Sequence, residues 1–176
     1  PYYRERSADL SRVTVPLLSS ANWGGQGLHL RGNMEGFIGA ASPLKWLEAH
    51  GGSHWAPFYT DYGVNMQRKF FDHFLKGEDN GWNLEPRVRL QIRHPGERFV
   101  ERHEAEWPLA RTQWTDFHLH PDSMSLSPQP YAGTTTQLTY AAMGQGLTFM
   151  SPPMTEPTEI TGPSALRLQV SSSTED

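Results

Sequence analysis

Apolar residues follow two rhythms along the chain, and the change between them falls near Gly81. In the first half, Val13-Thr14-Val15-Pro16-Leu17-Leu18-Ser19-Ser20 is apolar on successive positions and rich in β-branched residues. Strands covered on both faces read this way, which predicts a central parallel sheet. Pro16 removes one ladder donor from that strand. Ala21–Gly27 reads as a loop at the strand's carboxyl end. Leu30, Met34, Phe37, Ile38 and Ala41 then recur at helical spacing and predict a helix over His29–Ala41. Its glycines, Gly32, Gly36 and Gly39, each weaken it by about 1 kcal/mol relative to alanine. A second strand is expected at Leu44–Ala49, ended by Gly51-Gly52. A second helix follows, with Asp61 as its cap, Val64, Phe71, Phe74 and Leu75 on its apolar face, Phe70 at the edge of that face, and Gly77 at its end. Strand–helix–strand–helix is the order of an α/β layer fold.

Past Gly81 the period becomes two. Val88, Leu90 and Ile92 alternate with Arg87, Arg89, Gln91 and Arg93, the pattern of a half-buried strand. The arginines read as a solvated edge that discourages sheet-to-sheet association. His94-Pro95-Gly96 is a turn, Arg98–Arg102 can return as the second arm of a hairpin, and Trp107-Pro108 closes the unit. From about Thr112 onward the apolar residues come in short alternating groups: Phe117 and Leu119, then Leu147–Met150, then Leu166–Val170. Pro/Ser/Gly/Thr stretches separate them as loops. Short strands between turns suggest a β-sandwich. The expected organisation is therefore α/β over residues 1–111 followed by all-β over residues 112–176. Residues 1–12 are polar and charge-mixed, a surface loop leading into the sheet.

Composition narrows the classes. The chain has 176 residues, 36% of them hydrophobic, with 14 prolines and 16 glycines, and no cysteine. A disulfide framework, a thiolate nucleophile and a cysteine-ligated zinc site are therefore excluded. The net charge of −4, with both signs interspersed, points to neither a nucleic-acid partner nor an electrostatic membrane anchor. No apolar run is long enough to span a bilayer, and the first residues are not a signal peptide. With no cysteine, a cytoplasmic location is the expectation. The chain begins without methionine and stops directly after a strand-like run, so it is expected to be a piece of a longer protein.

The chemistry centres on Lys45-Trp46-Leu47-Glu48-Ala49-His50-Gly51-Gly52-Ser53-His54-Trp55. In open α/β sheets ligands bind just past the carboxyl ends of strands. A histidine there, between glycines that bend freely and aromatics that exclude water, is placed to move protons. His54 is the candidate catalytic base, against the plainer reading of a loop histidine held by a hydrogen bond. Trp23, Trp55, Phe58 and Tyr59 either wall an apolar substrate pocket near His54 or pack an ordinary domain interface. His50 and His54 are four apart, as in helical zinc motifs, but Gly51-Gly52 between them argues against a helix. His118 and His120 share a strand face without a third ligand, so no metal site is assigned.

This stretch also carries a resemblance to a known family. It resembles the cocaine-esterase / X-prolyl dipeptidyl-peptidase family of serine hydrolases, in which a strand ends in a Gly-rich loop bearing the triad histidine. The likeness continues through Phe70-Phe71-Asp72-His73-Phe74-Leu75-Lys76-Gly77-Glu78-Asp79-Asn80-Gly81, similar to the family's FFDxxLKGxxNG segment. It extends to Glu106-Trp107-Pro108-Leu109, to Pro152-Pro153 with Glu159-Ile160-Thr161-Gly162, and to Ser171-Ser172-Ser173.

The resemblance implies the C-terminal part of an α/β-hydrolase domain and then the opening strands of a jelly-roll domain. It implies a serine hydrolase that cleaves an ester or amide through an acyl-enzyme, with His54 as base and no cofactor. A small-molecule ester or amide, or a short peptide, would be the substrate, and homo-oligomers are common in the family. No serine here lies in a G-x-S-x-G elbow, and Ser53 is adjacent to His54, so the nucleophile would come from the remainder of the polypeptide.

The acid departs from the family's pattern. Where the family has a strand followed by G-W-x-D, this chain has Ala21-Asn22-Trp23-Gly24-Gly25, with Gly25 at the aspartate's place. Either a nearby group such as Glu35 substitutes, or the site works without an acid there; Glu35 also reads as a solvated helix-face residue, and Asp61 as an N-cap. The rival reading is a non-catalytic module that binds a carbohydrate or a protein partner.

Overall fold

The structure is a computed structural model, and it describes residues 2–25 and 27–174. The chain forms two compact units, Pro1–Ala110 and Arg111–Asp176.

In the first unit four strands form one sheet in the order β1-β2-β3-β4. They are β1 (Leu17–Asn22), β2 (Lys45–His50), β3 (Val88–His94) and β4 (Arg98–Glu104). β1, β2 and β3 run parallel, and β4 returns antiparallel to β3. Pro16 stays outside the ladder; pairing starts at Leu17, whose N–H donates to the Leu44 carbonyl at 2.9 Å. Residues 1–12 are not all loop: a short helix α1 (Tyr2–Arg6) and a 3-10 turn (Leu10–Arg12) precede the sheet.

Adjacent residues of a strand point to opposite faces, and β2 shows what covers each one. Leu47 and Ala49 pack with Ala21, Val88 and Leu90 under Met34 and Phe37 of α2 (Leu30–Gly39), and Trp107 and Leu109 complete that core. Trp46 points the other way, to Phe70, Phe74 and Met66 of α4 (Asp61–Lys76) and to Trp82. A short helix α3 (Ala56–Tyr59) leads into α4. Helices on both faces of a sheet with three parallel strands make this unit α/β.

Several expected details change. The N-cap of α4 is Thr60, whose hydroxyl accepts from the Gly63 N–H, and Asp61 is the first helical residue. Phe70 is not at the edge of the buried face but at its centre, 6% exposed, whereas Phe71 is 50% and Leu75 78% exposed. Trp82 and Trp46 draw the helix's inward face round to Phe70, which the helical period by itself does not locate. Gly77 does end the helix, in the left-handed conformation at φ 73°. Arg87, just before β3, and Arg89 and Arg93 within it do not line an edge, because β3 is bonded to β2 on one side and β4 on the other. They are paired: Arg89 with Glu85 at 2.6 Å and Glu101 at 2.9 Å, Arg93 with Glu97, and Arg87 over the Trp46 ring.

In the second unit β5 (His118–His120) pairs antiparallel with β6 (Ser125–Ser127), and Met150 bridges Ser125 in the parallel sense. The alternation at Leu166–Val170 forms no ladder among the described residues. A strand needs a partner for its N–H and C=O groups, and these side chains stand exposed. No helix among the described residues is long and apolar enough to cross a membrane.

Candidate functional site

The carboxyl ends of β1 and β2 lie side by side, with Asn22 in register with His50. Beyond Asn22 the chain enters a single 3-10 turn, Trp23–Gly25. Beyond His50 it passes through Gly51 and Gly52, the latter at φ 71°, into the segment that carries His54. Both loops therefore open at the same end of the sheet, where α/β folds bind ligands.

His54 is exposed, and its ring meets two aromatic neighbours. It stacks on the His29 ring at a centroid distance of 5.0 Å and an interplanar angle of 18°, and meets Trp55 edge-on at 5.1 Å. Gly25 lies against the same ring: a Cβ on it would stand 3.5 Å from Nδ1 and 3.8 Å from Cε1. Among the described residues no carboxylate hydrogen-bonds His54. Glu35 sits on the exposed face of α2, 3.9 Å from Arg31, and shares no hydrogen bond with His54.

The four aromatics split up. Trp55 is against His54, Trp23 donates its indole N–H to the Gln91 carbonyl at 2.7 Å, and Phe58 and Tyr59 pack edge-on to each other. Ser53 braces the turn, with its hydroxyl accepting from the Trp55 and Ala56 N–H groups. His118 and His120 lie in β5, and His120 Nε2 pairs with the Gln129 carbonyl at 2.9 Å.

A polar network that the sequence pattern does not announce lies inside β2. Glu48 and His50 are both buried and joined through His50 Nδ1 at 2.9 Å. The Ser20 hydroxyl donates to Glu48 at 2.5 Å, and the Tyr62 hydroxyl donates at 3.3 Å. Burial, and next the Glu48 charge, push the Tyr62 hydroxyl well above its ordinary range. A cavity of about 240 Å³ lies between α4 and the sheet, lined by Trp46, Glu48, Tyr62, Met66, Trp82 and Arg89 among others; His54 is not part of its wall. The buried pair explains why the zinc-like spacing of His50 and His54 has no chemical meaning: one ring is inside the sheet layer and the other is outside it.

Asn22 ties the two loops together. It is buried, and its amide donates to the Gly52 carbonyl at 3.1 Å, with the His50 and Gly51 carbonyls each at 3.4 Å. Its position as the last residue of a strand otherwise apolar or small was the one sequence signal for this role. His29 gave none, since its partner lies 25 residues away.

Residues 80–176, more than half of the chain, match the X-Pro dipeptidyl-peptidase C-terminal non-catalytic domain. No curated protein matches. Two crystal structures of a CocE/NonD family hydrolase from Staphylococcus aureus are each 34% identical, with a TM-score of 0.68 over 73% of this chain. The chain spans 23% of the length of those structures. The domain match begins at residue 80, so β3 and β4 fall within it, yet in the structure both complete the sheet begun by β1 and β2. On these matches, the chain belongs to the CocE/NonD and X-Pro dipeptidyl-peptidase family of hydrolases.

Proposed function

We propose that this chain is the histidine-bearing part of a serine hydrolase that cleaves an ester or amide bond through an acyl-enzyme. The observation that carries this reading is the meeting of Gly25 and His54 at the carboxyl ends of neighbouring parallel strands. A triad needs an orienting acid beside its histidine, and the loop at Gly25 is the one that reaches the His54 ring. In this arrangement His54 takes the proton of a serine hydroxyl and later gives it to the leaving group or takes one from water. The serine and the oxyanion donors come from the rest of the polypeptide. Among the described residues β1 is bonded only to β2, which leaves its other edge for further strands of the same sheet. Substrates are small esters or amides, or short peptides, bound beside His54 and Trp55. The second unit is the opening of a jelly-roll domain. Homo-oligomerisation, and a cytoplasmic location without cofactor, nucleic acid or membrane, complete the reading.

A second reading is favoured by one observation. His54 has no carboxylate on it among the described residues, as in a non-catalytic module that has kept the fold and binds a carbohydrate or a protein. A fluorophosphonate probe on the full-length protein separates the two. Covalent labelling that is lost in His54→Ala supports the hydrolase. Absent labelling, or labelling that the substitution leaves unchanged, supports the binding module.

A further inference from the structure

We infer that Gln91 positions the His54 loop, so that the β3–β4 hairpin, although it lies in the segment matching a non-catalytic domain, is part of the machinery that sets the base. This inference rests on the hydrolase reading of the site. The regular ladder between β2 and β3 ends at Ala49 with Leu90. One residue further along β3, the Gln91 side chain continues it: the Gly51 N–H donates to Gln91 Oε1 at 3.0 Å. An N–H needs an oxygen acceptor, which fixes the amide's orientation. The backbone carbonyl of the same residue accepts the Trp23 indole N–H at 2.7 Å. Gln91 thus holds both loops that meet at His54, the one leaving β1 through Trp23 and the one leaving β2 through Gly51.

The opposite arm of the hairpin closes on the same point. Gly51 packs against the Phe99 ring of β4, and a Cβ on it would come within 2.1 Å of that ring. Asn22 holds the carbonyl side of the loop while Gln91 holds its amide side, so the backbone that launches the His54 segment is gripped on both edges. Where no carboxylate among the described residues hydrogen-bonds the imidazole, the backbone beneath it carries more of that task. Placement matters at this scale: a misplacement of about 1 Å can cost about a hundredfold in rate. Gln91 is also the uncharged residue between Arg89 and Arg93, which share its face of β3.

The test uses full-length protein, the rate of fluorophosphonate labelling, and thermal unfolding on the same samples. Gln91→Leu keeps volume and removes the acceptor; it should slow labelling by about ten- to a hundredfold at temperatures well below the unfolding midpoint. Gln91→Glu keeps an acceptor at the same reach and should bring the rate back to within about threefold of wild type. A general loss of packing would not show that rescue. Should Gln91→Leu not fold, Gln91→Asn keeps the amide and withdraws it by one methylene, and the same slowing is expected. Wild-type labelling rates in whichever of these two variants folds overturn the inference, as does slowing that Gln91→Glu does not rescue. Labelling that survives His54→Ala overturns the hydrolase reading instead, so the two failures are distinct.

Discussion

Gly25 and His54 meet across the ends of two parallel strands, the glycine's missing Cβ pointing to within 3.5 Å of the imidazole Nδ1. The backbone at Gly25 is outside the left-handed region, so a side chain can be carried there. The ring that would take a carboxylate in a triad is instead stacked on His29 and met edge-on by Trp55. Stacking restrains the plane of a ring but supplies no acceptor for an Nδ1 proton and no countercharge for the imidazolium that forms during acyl transfer.

Gly25→Asp should therefore restore an acceptor. With aspartate at residue 25 of the full-length protein, fluorophosphonate labelling is expected to rise by about tenfold or more, a fraction of the loss that follows removal of triad acid function elsewhere. The gain should vanish in the double variant with His54→Ala. An unchanged rate in Gly25→Asp would mean that the imidazole is already oriented by something other than this loop.

The two adjacent phenylalanines of α4 should differ sharply. Phe70 packs between Trp46 at 6.3 Å and Trp82 at 5.1 Å, and truncating it leaves a cavity that the rigid indoles cannot fill. Phe70→Ala is expected to cost about 3–5 kcal/mol in chemical denaturation. Phe71 is half exposed, and Phe71→Ala should stay within about 1 kcal/mol of wild type. Equal costs for the two would contradict the packing described.

Tyr62 makes stability depend on alkaline pH. Burial and the neighbouring Glu48 hold its hydroxyl protonated in the folded chain well beyond its ordinary pKa of 10.0. The unfolded chain releases that proton near the ordinary value while the folded chain keeps it. The contribution is thus fully present below about pH 10 and declines as pH rises above it. Tyr62→Phe gives up the hydrogen bond to Glu48, worth about 1 kcal/mol, but should lose stability less steeply on the alkaline side. Urea midpoints followed from about pH 8 to about pH 11 decide it. Parallel curves for the two proteins would contradict the assignment.

Repetition at short range made much of the fold legible in the sequence. The apolar-rich runs at 13–20 and 44–49, the helical spacing over 29–41 and the alternation over 87–93 each pointed to an element that the structure places within a few residues, through the face it must bury. The same local pattern misjudged positions that depend on neighbours. Thr60 caps α4 in place of Asp61, and Phe70 in place of Phe71 faces the core, because Trp46 and Trp82, distant in sequence, decide which side of the helix is inside. Leu166–Val170 alternates like a strand and has no ladder partner among the described residues.

The site divides along the same line. That a histidine follows a Gly-Gly turn at the end of a strand was a matter of residue order and was readable at once. The sequence alone determined which side chains were available at the mouth of the sheet. Only the tertiary structure decided what holds them: His29 stacks on His54 from 25 residues away, Asn22 clasps Gly52 from 30, and Gln91 reaches Gly51 from 40. Such pairings leave no periodic trace, because they arise when parallel strands set separate loops side by side, and proximity in space then replaces proximity along the chain.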